Sequence, residues 1–335
     1  MAVSCEGGKM GKKDLSLKSY LSDPVRYADV YNGSVFGGMQ VLEGAQLEEA
    51  GSVQMKSDGG ISLERICDLA MRQKNGGELY AIWILENQET VDYGMPVRIL
   101  LREALEYDRQ VRELKRKNEA EFQQEQGKSF PGEYLYKVKK GERIRPTGTL
   151  IIHWGNKPWD GPRSLHEFLD FGGFEGAAAE ELKKLVPEYP LHILDLNAEN
   201  DYSQFRTSLR TVFELYARRA DKQQFRDYVE THEECRHLDV ETYNVIGKLI
   251  GSSKLQQQEY KEESEEERDM SNAIDDFFED GRIAGKAEGK AEGIIEFGRD
   301  FGLSEKDILA RLQQKLNVTA QRAQEYLDAF EGQCI

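Results

Sequence analysis

Asp68 and the triplet Glu86-Asn87-Gln88 are the residues whose types and spacing point most directly to chemistry. Asp68 lies in SLERICDLAMRQ (62–73), and Glu86 directly follows the apolar run YAIWIL. Between them stands Asn75-Gly76-Gly77, a strong signal for a tight turn joining two strands. A hairpin there sets the two carboxylates side by side. A carboxylate at the end of a buried strand is costly unless it is paired or binds a cation. Two carboxylates, a backbone carbonyl and water make an oxygen-rich site suited to Mg²⁺ or Mn²⁺. Such a metal polarises a phosphate and activates water for phosphodiester hydrolysis. The same spacing has a purely structural reading, with Glu86 at the open mouth of its strand and Asp68 paired with an arginine such as Arg65. Acid pairs on neighbouring strands are common, and spacing alone leaves both readings open.

The elements that must position these residues follow from periodicity and turn chemistry. Pro24 after Asp23 suits a helix start, and Val25, Ala28, Val30/Tyr31 and Val35 recur at helical spacing. Residues 1–20 read as a basic, flexible N-terminus, and 37–60 as loop with short structure. The turn makes 62–73 at least partly strand, and the nearly continuous apolar character of 79–87 predicts a strand buried on both faces. A helix is expected over 95–118, opening apolar and ending basic, then a polar loop over 119–135. Strands are expected at 147–154 and 190–196, a short helix around LHEFL (165–169), and helical structure from 202 to 250. Strands first and helices afterwards give an α/β core with an α-helical C-terminal region.

The composition sets limits on partners. The 335 residues are 39% hydrophobic and carry a net charge of -16, which argues against a uniform positive sheath for nucleic acid. That charge is uneven, because residues 258–280 hold eleven acidic and two basic side chains. The four cysteines at 5, 67, 235 and 334 form no CxxC pair, the pattern of a reduced cytoplasmic protein. No N-terminal apolar segment of signal-peptide type and no membrane-span-length apolar run is present.

Beyond 257, an acidic linker or exposed helix is expected at 258–280. It is followed by Gly281, Gly285, Gly289 and Gly293 at four-residue spacing in GRIAGKAEGKAEG. Glycine is a poor interior helix residue. The repeat therefore reads either as a row that lets another helix approach closely or as a flexible, partly helical connector. Two amphipathic helices follow, with Ser304 and Thr319 as N-cap candidates. A homo-oligomer assembled through these C-terminal helices is one expectation.

The segments RYADVYN, ERICDLAMRQ, YAIWILENQ and YGMPVRILLREALEY, with HWGNKPWDGPRSLHEFL and DGRIAGKAEGKAEG later, resemble the PD-(D/E)XK nuclease-family transposases, also called recombination-promoting nucleases. The resemblance runs from about residue 11 to 332 and rests on the order of segments rather than on one motif. It implies a restriction-endonuclease-like core over 21–200, a mixed sheet flanked by helices, with a helical extension over 201–257 and a Gly-repeat helix plus helical pair over 281–335. It implies Mg²⁺- or Mn²⁺-dependent cleavage of DNA in recombination or a mobile element. Asp68 and Glu86 would match the metal-binding acids, Asn87 would contribute its backbone carbonyl, and Asp29 would match an acid on the first helix that assists through water. Gln88 stands where the broader pattern has Lys. It can orient water but supplies no positive charge. Arg98 is a candidate to supply that charge, with a surface or capping contact as its plainer role. Cys67 departs from the polar or basic residue common before the first acid. Relatives of this kind begin near Met10, which makes Met10 a candidate alternative start.

DNA contact is expected along the helix after the motif, from Arg98, Arg102, Arg109, Arg112, Lys115, Arg116 and Lys117, and in a second patch at Lys137, Lys139, Lys140, Arg143 and Arg145. These would grip phosphates without reading sequence. Interleaved glutamates offer the alternative of ordinary solvated faces. His232, Cys235 and His237 lack a fourth ligand at zinc spacing, and Trp154 and Trp159 read as packing residues. A catalytically inactive DNA-binding or oligomeric protein that keeps the fold is the rival reading of the whole chain.

Overall fold

The computed structural model describes residues 12–50, 55–56, 62–63, 69–124, 137–250 and 267–331. The chain divides into two compact units, Met1–Ala220 and Asp221–Ile335.

The first unit is built on a five-stranded mixed sheet. Its strands are β1 (Leu47–Glu49), β4 (Leu69–Asn75), β5 (Glu78–Gln88), β6 (Thr147–His153) and β7 (His192–Asp195), in the order β1-β4-β5-β6-β7. A separate short ribbon pairs β2 (Met55–Lys56) with β3 (Ser62–Leu63). β1, β4 and β5 are antiparallel neighbours, whereas β5, β6 and β7 run parallel. Asn75 pairs with Glu78, so Gly76 and Gly77 form the two-residue turn, with φ of 59° and 86°. Two consecutive left-handed residues are what this tight hairpin requires, and glycine adopts them without steric cost.

Helices cover both faces. α1 (Lys12–Leu21) and α2 (Pro24–Ser34) precede the sheet. The Asp23 side chain caps α2 by accepting from the Val25 and Arg26 amides. The expected flexible N-terminus is thus helical from Lys12, because Leu17, Tyr20 and Leu21 give this basic stretch an apolar face that is fully buried. α2 lies on the face carrying Trp83, where Tyr27 and Tyr31 donate to the Trp83 and Ile84 carbonyls at 2.7 and 2.5 Å. α3 (Met95–Gln124) covers the other face. Met95 and Ile99 pack there with Ile151 and Trp159. The helix extends six residues into the segment expected to be loop; the remainder of that segment, from 125, lies outside the described residues.

The helix after the sheet, α6 (Leu209–Arg218), belongs to the first unit, following the short helices α4 (Leu165–Phe168) and α5 (Gly176–Leu185). Phe205, just before it, stacks edge-on against Phe213 at 5.2 Å and closes on Gly33 of α2.

The second unit contains α7 (Lys222–Thr231), α8 (Val240–Ile250), α9 (Ile274–Asp300), α10 (Glu305–Leu316) and α11 (Ala320–Glu331). Ala291, Ile295, Ile308, Leu312, Ala323 and Leu327 form the core of its last three helices. Ser304 and Thr319 accept from the Asp307 and Arg322 amides, as their capping positions predict. Of the acidic segment expected at 258–280, residues 258–266 lie outside the described residues, and its last seven, from Ile274, open α9. Among the described residues no helix is long and apolar enough to cross a membrane.

A Cβ at Gly33 would stand 2.7 Å from the Phe205 ring. Gly33→Ala should destabilise the protein by about 1–3 kcal/mol through overpacking, read as a lowered midpoint in urea unfolding.

Candidate functional site

The site is built from the C-terminal end of β5. Side chains alternate along a strand, so Glu86 and Gln88 share one face, and α3 covers it. Arg98 and Arg102 are one turn apart on α3 and project to the same side. Both reach Glu86. Arg98 binds Oε1, and Arg102 Nη1 binds Oε2 at 2.5 Å. Gln88 Nε2 donates to Oε1 at 3.1 Å. Glu86 is wholly buried and Arg102 is 5% exposed, whereas Arg98 is 30% exposed and also bridges Asp92 at 3.1 Å. The carboxylate is therefore neutralised by two guanidiniums, one interior and one at the surface.

The parallel register extends this site into a row. Gln88 pairs with His153, and His153 pairs with Asp195, so three polar side chains end adjacent strands on the α3 face. His153 Nδ1 lies 3.1 Å from the Gln88 carbonyl, and its Nε2 lies 2.9 Å from that of Lys157. Asp195 accepts from the Trp159 and Asn197 amides at 2.7 and 3.0 Å. Reading the sequence missed His153 and Asp195, although each closes an apolar strand as Glu86 nearly does. That shared position was the available signal.

The other expected site residues fall as follows. Asp68, with Arg65 and Cys67, lies outside the described residues. It directly precedes Leu69, which pairs with Leu85, the residue before Glu86. Asn87 is buried. Its odd-numbered neighbours face α2, so its side chain points away from Glu86 and leaves only backbone on the Glu86 side. Asp29 is buried on α2 and accepts from the Arg206 and Thr207 amides at 3.0 and 2.8 Å and from the Thr207 hydroxyl at 2.6 Å. The structure gives it a role tying α2 to the chain before α6.

The cations expected to meet DNA are mostly paired. Arg102 is an interior partner of Glu86 rather than a surface cation. Arg109 makes a bidentate pair with Glu106 and also binds Glu113. Arg112 pairs with Asp108 and Lys117 with Glu121, while Lys137 and Lys139 reach back to Glu119 and Glu121. Lys115 and Arg116 are exposed and make no ion pair among the described residues.

No group of three His, Cys, Asp or Glu side chains that could hold a metal occurs among the described residues. His232 stacks on Tyr228 at 3.9 Å, and His237 bonds Glu267 at 2.6 Å. Burial pushes the Cys235 thiol up to about 12. Trp154 and Trp159 are packing residues, 2% and 5% exposed.

No protein-family model, no curated protein and no solved structure matches the chain. The geometry thus establishes a mixed α/β unit with a buried, arginine-neutralised carboxylate at the end of its central strand.

Two outcomes follow. Arg102→Ala should cost about 3–5 kcal/mol, because it strips a buried carboxylate of its interior partner. Arg98→Ala should cost less, since water replaces a partly exposed cation; urea unfolding of both variants checks the order. Cys235 should resist iodoacetamide at pH 8 in the folded protein and react once denatured, because its thiol stays protonated; peptide mass spectrometry reads the difference.

Proposed function

We propose that this chain is a metal-dependent DNA endonuclease on the PD-(D/E)XK plan, acting in DNA recombination or a mobile element. The observation that carries the proposal is the placement of Glu86. It stands two residues before the end of the central strand of the mixed sheet, and the residue before it pairs with the residue that follows Asp68. The sheet flanked by helices is the architecture that the resemblance implies.

The donor types fit a hard divalent cation. Asp68, Glu86 and the Asn87 carbonyl are all oxygen donors, the set that Mg²⁺ or Mn²⁺ favours. Glu86 Oε1 is held by the partly exposed Arg98 and by Gln88, so an ion bound there would displace Arg98 from it. When bound, the ion supplies Lewis acidity at the phosphate and a more acidic water. The chain's own groups supply the rest. The Gln88 amide both donates and accepts, so it can orient the attacking water. Once released from Glu86, the Arg98 guanidinium offers the positive charge that Gln88 lacks, aimed at a phosphate oxygen. Arg102 holds the Glu86 carboxylate against α3. Water would then add to phosphorus, losing a proton to solvent, as the P–O ester bond breaks and the leaving oxygen takes up a proton from water.

A second reading is favoured by one observation. Both Glu86 oxygens are occupied by arginines, and most cations of α3 are paired with acids. A non-catalytic DNA-binding or oligomeric protein that keeps the architecture is consistent with that closed network.

Nicking of supercoiled plasmid with Mg²⁺ or Mn²⁺ separates the two. The nuclease reading expects nicking that chelator abolishes and that falls at least about 100-fold in Asp68→Asn and Glu86→Gln. Folded wild-type protein that leaves the plasmid intact at every metal concentration supports the non-catalytic reading, and DNA affinity unchanged in both variants would confirm it.

A further inference from the structure

We propose that α9 is the contact between two copies of this chain, paired in parallel about a two-fold axis that runs along the helices. This goes beyond the nuclease reading and does not depend on it.

In a helix, residues four apart form rows along its surface. α9 presents four such rows, which differ in character over 286–297. Ala291 and Ile295 lie in the row buried in the core of the unit. The next row holds Glu288, Glu292 and Glu296. The third holds Gly289 and Gly293 and continues into Phe297 and Phe301. The fourth holds Lys286 and Lys290. The glycine row therefore lies between an acidic row and a basic row.

Three observations show that this outer surface is unfinished within one chain. A Cβ at Gly289 or Gly293 would meet nothing within 4 Å. Phe297 and Phe301 stack on each other at 4.3 Å yet are 50% and 69% exposed. The charges of the acidic and basic rows make no ion pair among the described residues. Within the helix each charge faces only its own sign at four-residue spacing, which is unfavourable. This contrasts with α3, where the basic residues mostly find acids.

The basic flank is also a groove. Lys290, Gly293, Ile294 and Phe297 of α9 and Arg311 and Lys315 of α10 line a cavity of about 500 Å³. Arg311 and Lys315 likewise make no ion pair among the described residues. The groove has an apolar floor and a cationic rim, and it needs an acidic row as its complement.

A second copy provides that row. With parallel helices related by a two-fold axis along their length, each glycine row faces itself. The acidic flank of each copy then lies against the basic flank of the other. An antiparallel pair would instead set acidic flank against acidic flank. The parallel arrangement repeats every contact twice, as an isologous interface requires. The glycines permit the close approach, and the exposed phenylalanines are covered at its end.

Light scattering and sedimentation of the full chain test this. The expected mass is twice 38.3 kDa. Gly289→Leu with Gly293→Leu should return the mass to that of one chain with helical circular dichroism undiminished, since leucine is the better helix former. Glu292→Lys should weaken association at least tenfold, and adding Lys290→Glu should restore it. Gly289→Cys should yield an oxidised cross-link between copies that the parent chain, oxidised alongside, does not form. A parent chain that stays at one-chain mass at tens of micromolar overturns the proposal. A dimer that survives the double leucine variant assigns association to another surface and also overturns it. A dimer indifferent to both charge reversals overturns the parallel arrangement.

Discussion

The first unit depends on the buried carboxylate of Glu86 and the two arginines that neutralise it. Ionised, unpaired carboxylates do not persist in an interior. Glu86 is wholly buried at the end of the central strand, so α3 must deliver cations there. The four-residue spacing of Arg98 and Arg102 does so from one helical face, and it sets how far along the sheet the helix sits. Replacing such a network by apolar residues of like shape is often neutral for stability. Its contribution here is to fix one arrangement of helix on strand, with the surface-side arginine also bridging Asp92.

The rest of the α3 interface continues in the same manner. Thr149 donates to Glu103 at 2.7 Å, and Gln110 accepts from the Arg145 amide at 2.7 Å. Tyr107 exchanges contacts with the backbone of Thr147. Each is a polar group on the helix matched to β6 or to the chain leading into it, so a shift by a single residue would leave several buried groups without partners, at about 1–3 kcal/mol each. The opposite face is held differently, by Tyr27 and Tyr31 hydroxyls donating to β5 carbonyls beneath an aromatic cluster with Trp83. Burial accordingly drives the Tyr31 hydroxyl above its ordinary range, which keeps it a proton donor. With both helices fixed, the polar row Gln88, His153 and Asp195 sits on rigid strand ends, a favourable base for a site.

Charge is handled in opposite ways along the chain. On α3 the cations alternate with acids at helical spacing and neutralise one another locally. On α9 Glu288, Glu292 and Glu296 share one row and Lys286 and Lys290 another, and these five charges make no ion pair among the described residues. The spacing of charges along a helix, and not their number alone, thus decides which kind of surface it presents.

Much of the architecture was legible in the sequence because its signals are local. The Asn75-Gly76-Gly77 turn, the apolar run before Glu86, the cap at Asp23 and the caps at Ser304 and Thr319 each act through neighbours a few residues away, and the structure bears them out. What sequence could not reveal depended on residues far apart in the chain. The basic N-terminal stretch folds as α1 because its apolar face finds the sheet unit, which composition does not record. Asp29 read as a site acid, and only the return of the chain at 206–207 shows what its carboxylate holds. Arg102 read as a surface cation like its neighbours, and only the register of α3 on β5 turns it inward. Periodicity and turn chemistry act at short range, so the residues alone settled most of the strands and helices and the acid near the end of the central strand. The tertiary structure alone decided which charges meet, because ion pairing depends on distances that packing, not spacing in the chain, sets.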